Sequence, residues 1–219
     1  MMIKICNRNE KKIVDKSEEL VRFCKKSSSF LVLTRRHTGG IKKDVLEELI
    51  QSKLLQIEEE RERKIRYIRN MSLSDVRKMG FSSQNGFVKE VDRQACQCRS
   101  EVEAIFEDYK DGKDTLINDL KLYGLYKRTF SVGSFFTWPG IWDMCFFDLH
   151  HADCSALELD FFQTPIFVGG YAFEDYGFAG KDERIWAKVC PHESYFQFEL
   201  TERQFIDFCK LCIPFDELR

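Results

Sequence analysis

The chain has 219 residues, 34 Lys+Arg against 36 Asp+Glu, 43% hydrophobic residues, 20 Phe, 7 Tyr and 3 Trp, and only four prolines. That much apolar surface excludes collagen-like and disordered chains, because burying it offsets the entropy of ordering the backbone. Its apolar runs are a few residues long, far short of the roughly 20 needed to cross a bilayer, and Met1 to Lys12 is too polar for a signal peptide. A cytoplasmic protein without membrane contact is expected.

Helical periodicity dominates the first part. Ile13, Ser17, Leu20, Val21 and Cys24 predict a helix over about residues 9–26, and Phe30 to Thr34 predicts a short strand. The strand runs into Arg35-Arg36-His37-Thr38-Gly39-Gly40. From Ile41 to Met71 a long helix carries Leu46, Ile50, Leu54, Ile57, Ile65 and Ile68 on one stripe, interrupted by the charged run Glu58 to Lys64. A short helix at Ser74 to Met79 and a turn at Ser82 to Gly86 follow. Val88, Val91, Ala95, Cys98, Val102, Ile105 and Tyr109 then alternate steps of three and four, a heptad seam that predicts an antiparallel helical hairpin over about residues 41–110. One more short helix is expected over Thr115 to Lys127.

Period-two alternation takes over afterwards. Thr129 to Phe136, Ile141 to Leu149, Ala156 to Phe162, Ile166 to Phe173, Arg184 to Val189 and Tyr195 to Leu200 read as strands, separated by glycine and proline turns. Thr201 with Gln204 three residues on is a reciprocal helix cap, opening a last helix with Phe205, Phe208, Cys209 and Cys212 before Pro214; Cys209 is expected in the core. The fold class is therefore α+β: a helical region 1–128 and a sheet region 129–219 with a C-terminal helix.

Composition changes at the same boundary. Residues 1–128 hold 28 Lys+Arg and 21 Asp+Glu, a net of +7; residues 129–219 hold 6 and 15, a net of −9. Nine aromatics precede the boundary and 21 follow it. Near-neutrality of the whole is a cancellation in sequence.

Four places invite chemistry. Cys145, His150, His151 and Cys154 offer thiolate and imidazole ligands for zinc, with Cys190-Pro191-His192 or Cys209 and Cys212 to complete a set. Their spacing lacks the paired two-residue gaps of a zinc finger, and strand alternation separates His150 from Cys145 and His151. Arg35, Arg36, Gly39, Gly40 and Lys42, between a strand and a helix, suit an anion on backbone N–H groups, but neither a phosphate-loop nor a dinucleotide spacing is present. The segment Leu73 to Phe81 is similar in outline to half of a helix-turn-helix, yet the next helix begins Phe87-Val88 and follows a heptad, which suits packing better than base reading. Asp143, Asp148, Asp153, Glu158 and Asp160 crowd a stretch that has no Lys or Arg between Arg128 and Lys181, a poor surface for a nucleic-acid backbone. An odd nine cysteines points to reduced thiols.

The remaining signal is aromatic side chains beside carboxylates: Trp138, Trp142 and Asp143, then Tyr171, Glu174, Asp175 and Tyr176, with Asp182 nearby. Tyr and Trp anchor interfaces, and an acidic rim steers a basic partner. The function expected is a non-catalytic protein-binding module of the immunity, inhibitor or defence-associated kind, using this face. No cofactor is expected. The hairpin offers a second contact or self-association, and the basic helices a route to nucleic acid. The competing expectation is a metal-dependent nucleic-acid-acting enzyme or nucleic-acid-binding effector.

Overall fold

The structure, a computed structural model, describes residues 1–5, 15–109, 118–133, 140–155, 157–159, 165–193 and 195–218. In chain order its elements are β1 (Met2–Ile5), α1 (Ser17–Lys26), β2 (Phe30–Arg36), α2 (Lys43–Arg69), α3 (Leu73–Lys78), α4 (Gln84–Tyr109), a 3-10 turn (Asn118–Tyr123), β3 (Leu125–Val132), β4 (Ile141–Asp148), α5 (Ala152–Ser155), β5 (Ile166–Val168), β6 (Tyr171–Phe173), β7 (Asp175–Ala179), β8 (Ile185–Cys190), a 3-10 turn (Pro191–Glu193), β9 (Tyr195–Glu199), α6 (Glu202–Cys209) and β10 (Asp216–Leu218). Two compact units result: Met1–His37 with Leu116–Arg219, and Thr38–Thr115. The mixed α+β class expected from periodicity is what the structure shows. Its division differs from the compositional boundary at Arg128, because β1, α1 and β2 belong with the sheet.

Eight strands form one antiparallel sheet in the order β10-β1-β9-β8-β7-β2-β4-β3, and β5 pairs with β6 separately. Strand β2 sits between β4 and β7, with Leu33 opposite both Cys145 and Tyr176. Alternate residues of the central strands, among them Ile3, Ile5, Leu31, Leu33, Phe147, Tyr176, Phe178, Val189, Phe196 and Phe198, point into one core with Leu20, Val21 and Cys24 of α1 and Phe208 of α6. Two helices therefore cover one sheet face, which hides the apolar half of a period-two pattern. Phe208 is the centre of an aromatic cluster, its ring centroid 5.9 Å from Phe23, 5.6 Å from Phe198 and 5.7 Å from Phe215. Phe208 is the buried residue of α6 and Cys209 is exposed, contrary to expectation: one step along a helix turns 100°, enough to leave the core. The capping box at Thr201 and Gln204 is formed as expected. A bulge opposite Phe178 and Ala179 turns Trp186 onto the helix-covered face, where its indole donates to the Ser28 hydroxyl at 3.0 Å.

Several strands escaped periodicity. β7, Asp-Tyr-Gly-Phe-Ala, reads as a turn, yet all five residues are buried. The segment Ile166 to Phe173, expected as one strand, folds back on itself through Gly169 and Gly170, both at positive φ, into β5 and β6. The helix expected over Thr115 to Lys127 is a 3-10 turn from Asn118 followed by β3, which runs Leu125–Val132 instead of 129–136. Much of the strand expected at Ala156 to Phe162, and the start of the first helix before Asp15, lie outside the described residues.

The second unit is the expected hairpin. α2 of 27 residues and α4 of 26 run for roughly 40 Å each at 1.5 Å per residue. Val91, Val102 and Ile105 of the predicted seam are buried, as are Leu46, Ile50, Ile65 and Ile68 of α2. Arg61 ties the helices toward the turn, bonding Asp92 across the pair at 2.7 Å and Glu58 on its own helix. At the turn, Ser72 caps α3 by accepting from the Asp75 amide at 3.2 Å, Gln84 donates to the Met71 carbonyl at 2.7 Å, and Phe81 stacks on Phe87 at 4.2 Å.

Candidate functional site

The acidic, aromatic surface does not assemble as expected. Trp142, Asp143, Asp175 and Tyr176 are buried, at 7%, 1%, 0% and 0% exposure. Only Tyr171, Glu174 and Asp182 reach solvent, and Trp138 lies outside the described residues. The physical reason is register. Asp143 stands opposite Arg35 and Asp175 opposite Thr34 of β2, a strand paired on both edges, so both carboxylates are covered by neighbouring strands' side chains.

Asp143 is held by cations. Arg128 on β3 grips it with Nε at 2.8 Å and with Nη2; the Arg35 Nε lies 3.7 Å away and the His37 Nδ1 3.2 Å away. Arg128 Nη2 also donates to His37 Nδ1 at 3.2 Å, so the carboxylate is compensated by two guanidiniums in a buried cluster, which suits holding adjacent strands together and not display. The His37 ring also packs edge-on to Phe130 at 5.1 Å. Arg35 divides itself between Asp143 and the ring of Tyr171, 5.6 Å from its guanidinium carbon.

That placement also engages one of the residues expected to hold an anion. Arg35 is engaged, Arg36 and Lys42 are exposed, and Gly39 and Gly40 lack the positive φ of an anion-cradling nest. The Ile41 amide, which an anion at that turn would use, donates to the Tyr109 carbonyl at 3.2 Å.

The four sequence candidates for zinc are not brought together. Cys145 and Cys154 are both in the core, where burial pushes each thiol up to about 12. His150 is exposed, its amide donating to Asp148 at 2.8 Å, and His151 lies 3.9 Å from Asp153. Among the described residues, the one set of three ligand-type side chains with donor atoms within 4.8 Å of one another is Asp175, Cys190 and His192. Cys190 and His192 stood in the sequence as supplements to another site. Asp175 reaches them through the β7–β8 pairing, in which their chain neighbours Tyr176 and Val189 face each other. No spacing signal could have linked them.

The distances in this trio are 3.4 Å from His192 Nδ1 to Asp175 Oδ1 and 3.5 and 3.6 Å from Cys190 Sγ to the two ring nitrogens. Burial, then the neighbouring Asp175 charge and hydrogen bond, push the Cys190 thiol far above its ordinary value, against a smaller opposing contribution from the Glu193 amide. Burial at 0% exposure and the neighbouring Asp175 charge disfavour the thiolate that a nucleophile needs, although Cys, His and Asp are the residue types of a catalytic triad.

A third feature has no site signal in the sequence beyond the helix-turn-helix likeness of Leu73 to Phe81: the turn end of the hairpin. Tyr67 is 67% exposed, Leu73 47% and Met79 59%. Arg66, Arg69 and Arg77 are exposed around them and none pairs with a carboxylate among the described residues. Residues 61–93 hold 9 Lys+Arg against 4 Asp+Glu, whereas the rest of Thr38–Thr115 holds 6 against 12. The hairpin is thus electrically polarised along its length, with apolar groups exposed at the positive end.

The chain matches no family model, no curated protein and no solved structure. Among the described residues no helix is long and apolar enough to cross a membrane.

Proposed function

We propose that this is a non-catalytic, cytoplasmic binding protein whose recognition element is the turn end of the helical hairpin. The observation that carries the reading is the coincidence, within residues 66–79, of exposed Tyr67, Leu73 and Met79 with three arginines that have no carboxylate partner among the described residues. Aromatic, Met and Arg side chains are those enriched at interface cores. The partner is a protein presenting an apolar pocket within an acidic rim, the charge complement of Arg66, Arg69 and Arg77. A phosphate backbone would call for the arginines and leave Leu73 and Met79 without a role. The eight described cysteines are all free thiols, which suits a reducing compartment.

Co-purification of the tagged full chain from its native lysate, with nuclease treatment, tests the reading. A protein retained at low salt, weakened by added salt, and lost both from Arg66→Glu/Arg69→Glu/Arg77→Glu and from Tyr67→Ala is the expected result. Retention unchanged by these substitutions, or a retained species that nuclease removes, refutes it.

A further inference from the structure

We propose that Asp175, Cys190 and His192 form a binding site for a divalent metal of the zinc class, located where β7 begins and β8 ends. The inference is independent of the hairpin reading. It rests first on distances. Ligands about 2.0–2.1 Å (N, O) and 2.3 Å (S) from a tetrahedral zinc lie roughly 3.3–3.6 Å from one another. The observed separations are 3.4 Å between His192 Nδ1 and Asp175 Oδ1, and 3.6 Å between that nitrogen and Cys190 Sγ. An N···O separation of 3.4 Å is too long for a good hydrogen bond, whose usual range is about 2.7–3.2 Å. All three donor atoms lie within 4.8 Å of one another, near enough to share one ion once the imidazole turns.

Charge supplies a second argument. Asp175 and Cys190 are each at 0% exposure, and a divalent ion bound to a carboxylate, a thiolate and a neutral imidazole leaves the group with no net charge. Ligand type is the third: mixed S, N and O donors select zinc over the hard cations, which take oxygen alone. The scaffold is rigid where it must be. Asp175 and Cys190 stand on paired central strands, and the Pro191–Glu193 turn returns His192 over them. The Glu193 amide bonds the sulfur, the kind of outer contact that stabilises a thiolate ligand. With Sγ almost equidistant from both ring nitrogens, the imidazole must turn about χ2 to aim a lone pair at the ion, and the 37% exposure of its side chain leaves room for that turn. Binding releases the thiol proton, so affinity rises with pH.

Cobalt(II) titration of the full chain, purified through a chelator, provides the test. One equivalent should bind, with a thiolate-to-cobalt charge-transfer band in the near ultraviolet and the intense visible bands of a tetrahedral ion, both displaced by zinc. Cys190→Ser abolishes the charge-transfer band. Because replacing a buried cysteine risks the fold, His192→Gln provides the second variant: its side chain is partly exposed, and its loss should weaken cobalt binding by at least the ~10–100-fold that follows from losing an outer-shell partner alone. Cys209→Ser/Cys212→Ser, which alters two exposed thiols, leaves stoichiometry and spectrum intact. No charge-transfer band, a band that depends on Cys209 or Cys212, or an affinity unchanged in His192→Gln overturns the proposal.

Discussion

Replacing Asp143 by alanine isolates the energetics of the ion cluster that joins β2, β3 and β4. The Asp143 side chain is 2% exposed, and its partners Arg128 and His37 are 12% and 2% exposed. In Asp143→Ala the Arg128 guanidinium stays desolvated with its carboxylate gone, and Arg35 loses its second contact. Breaking a buried pair from one side costs about 3–5 kcal/mol, mostly the uncompensated charge. Replacing both partners is different in kind: Asp143→Ala/Arg128→Met removes the stranded cation, and most of the loss should return, giving a coupling energy of about 1.5–3 kcal/mol in the double-mutant cycle. Tryptophan fluorescence during urea unfolding is the suitable assay, since Trp142 and Trp186 belong to the sheet unit and residues Thr38–Thr115 contain no tryptophan. With a slope near 2 kcal/mol per molar urea, the single variant should lower the midpoint by about 1.5–2.5 M. A shift below about 0.5 M, with the two substitutions additive, would refute the reasoning, because it would mean that water already solvates these charges.

Three other outcomes follow from the packing. Phe208→Ala removes the ring at the meeting point of α6, Phe23, Phe198 and Phe215; it should cost about 3–5 kcal/mol by the same fluorescence assay, and a loss under 1 kcal/mol would mean that α6 contributes little to the core. Gly124→Ala adds a Cβ 2.6 Å from the Cβ of His151 at a φ of +83°; destabilisation of about 2 kcal/mol or more is expected, and wild-type stability would contradict this backbone path. Alkaline pH should weaken the fold. Unfolded thiols ionise near pH 8.5, while burial keeps Cys145 and Cys154 protonated up to about 12. The folded state thus binds more protons in that window and stability falls as pH rises through it. The urea midpoint should drop between pH 8 and 10, less steeply in Cys145→Ala/Cys154→Ala; identical slopes would show that these thiols are not the source.

The hairpin was legible because its information is local. Steps of three and four along Val88 to Tyr109 place one stripe on one side of a helix whatever lies elsewhere in the chain, and the Thr201 cap of α6 likewise works within four residues. β4 and β9 were legible from their alternation. β1 and β10 are only four and three residues long, and β7 contains both Asp175 and Gly177, so neither length nor residue type announces them. They exist because neighbours complete them: Ile3 meets Phe198 on one side and Glu217 on the other. The metal trio was illegible for the same reason, since 15 residues separate Asp175 from Cys190 in sequence while strand pairing sets them side by side.

What the residues determined alone was the α+β class, the helical hairpin and a linear charge order of +7 followed by −9. What the charge order means was decided only by the tertiary structure. The strands of the basic N-terminal segment, β1 and β2, do not stand apart from the acidic C-terminal half but pair into the same sheet, β2 between β7 and β4, so that Arg35 faces Asp143. Counted by compact unit, the sheet unit holds 19 Lys+Arg and 20 Asp+Glu and the hairpin unit 15 and 16, a net of −1 each. Coulomb attraction acts through space and not along the chain, so a polarity that spans the sequence cancels where strands from its two ends pair. It survives within the hairpin, where a long helix keeps residues distant in sequence distant in space.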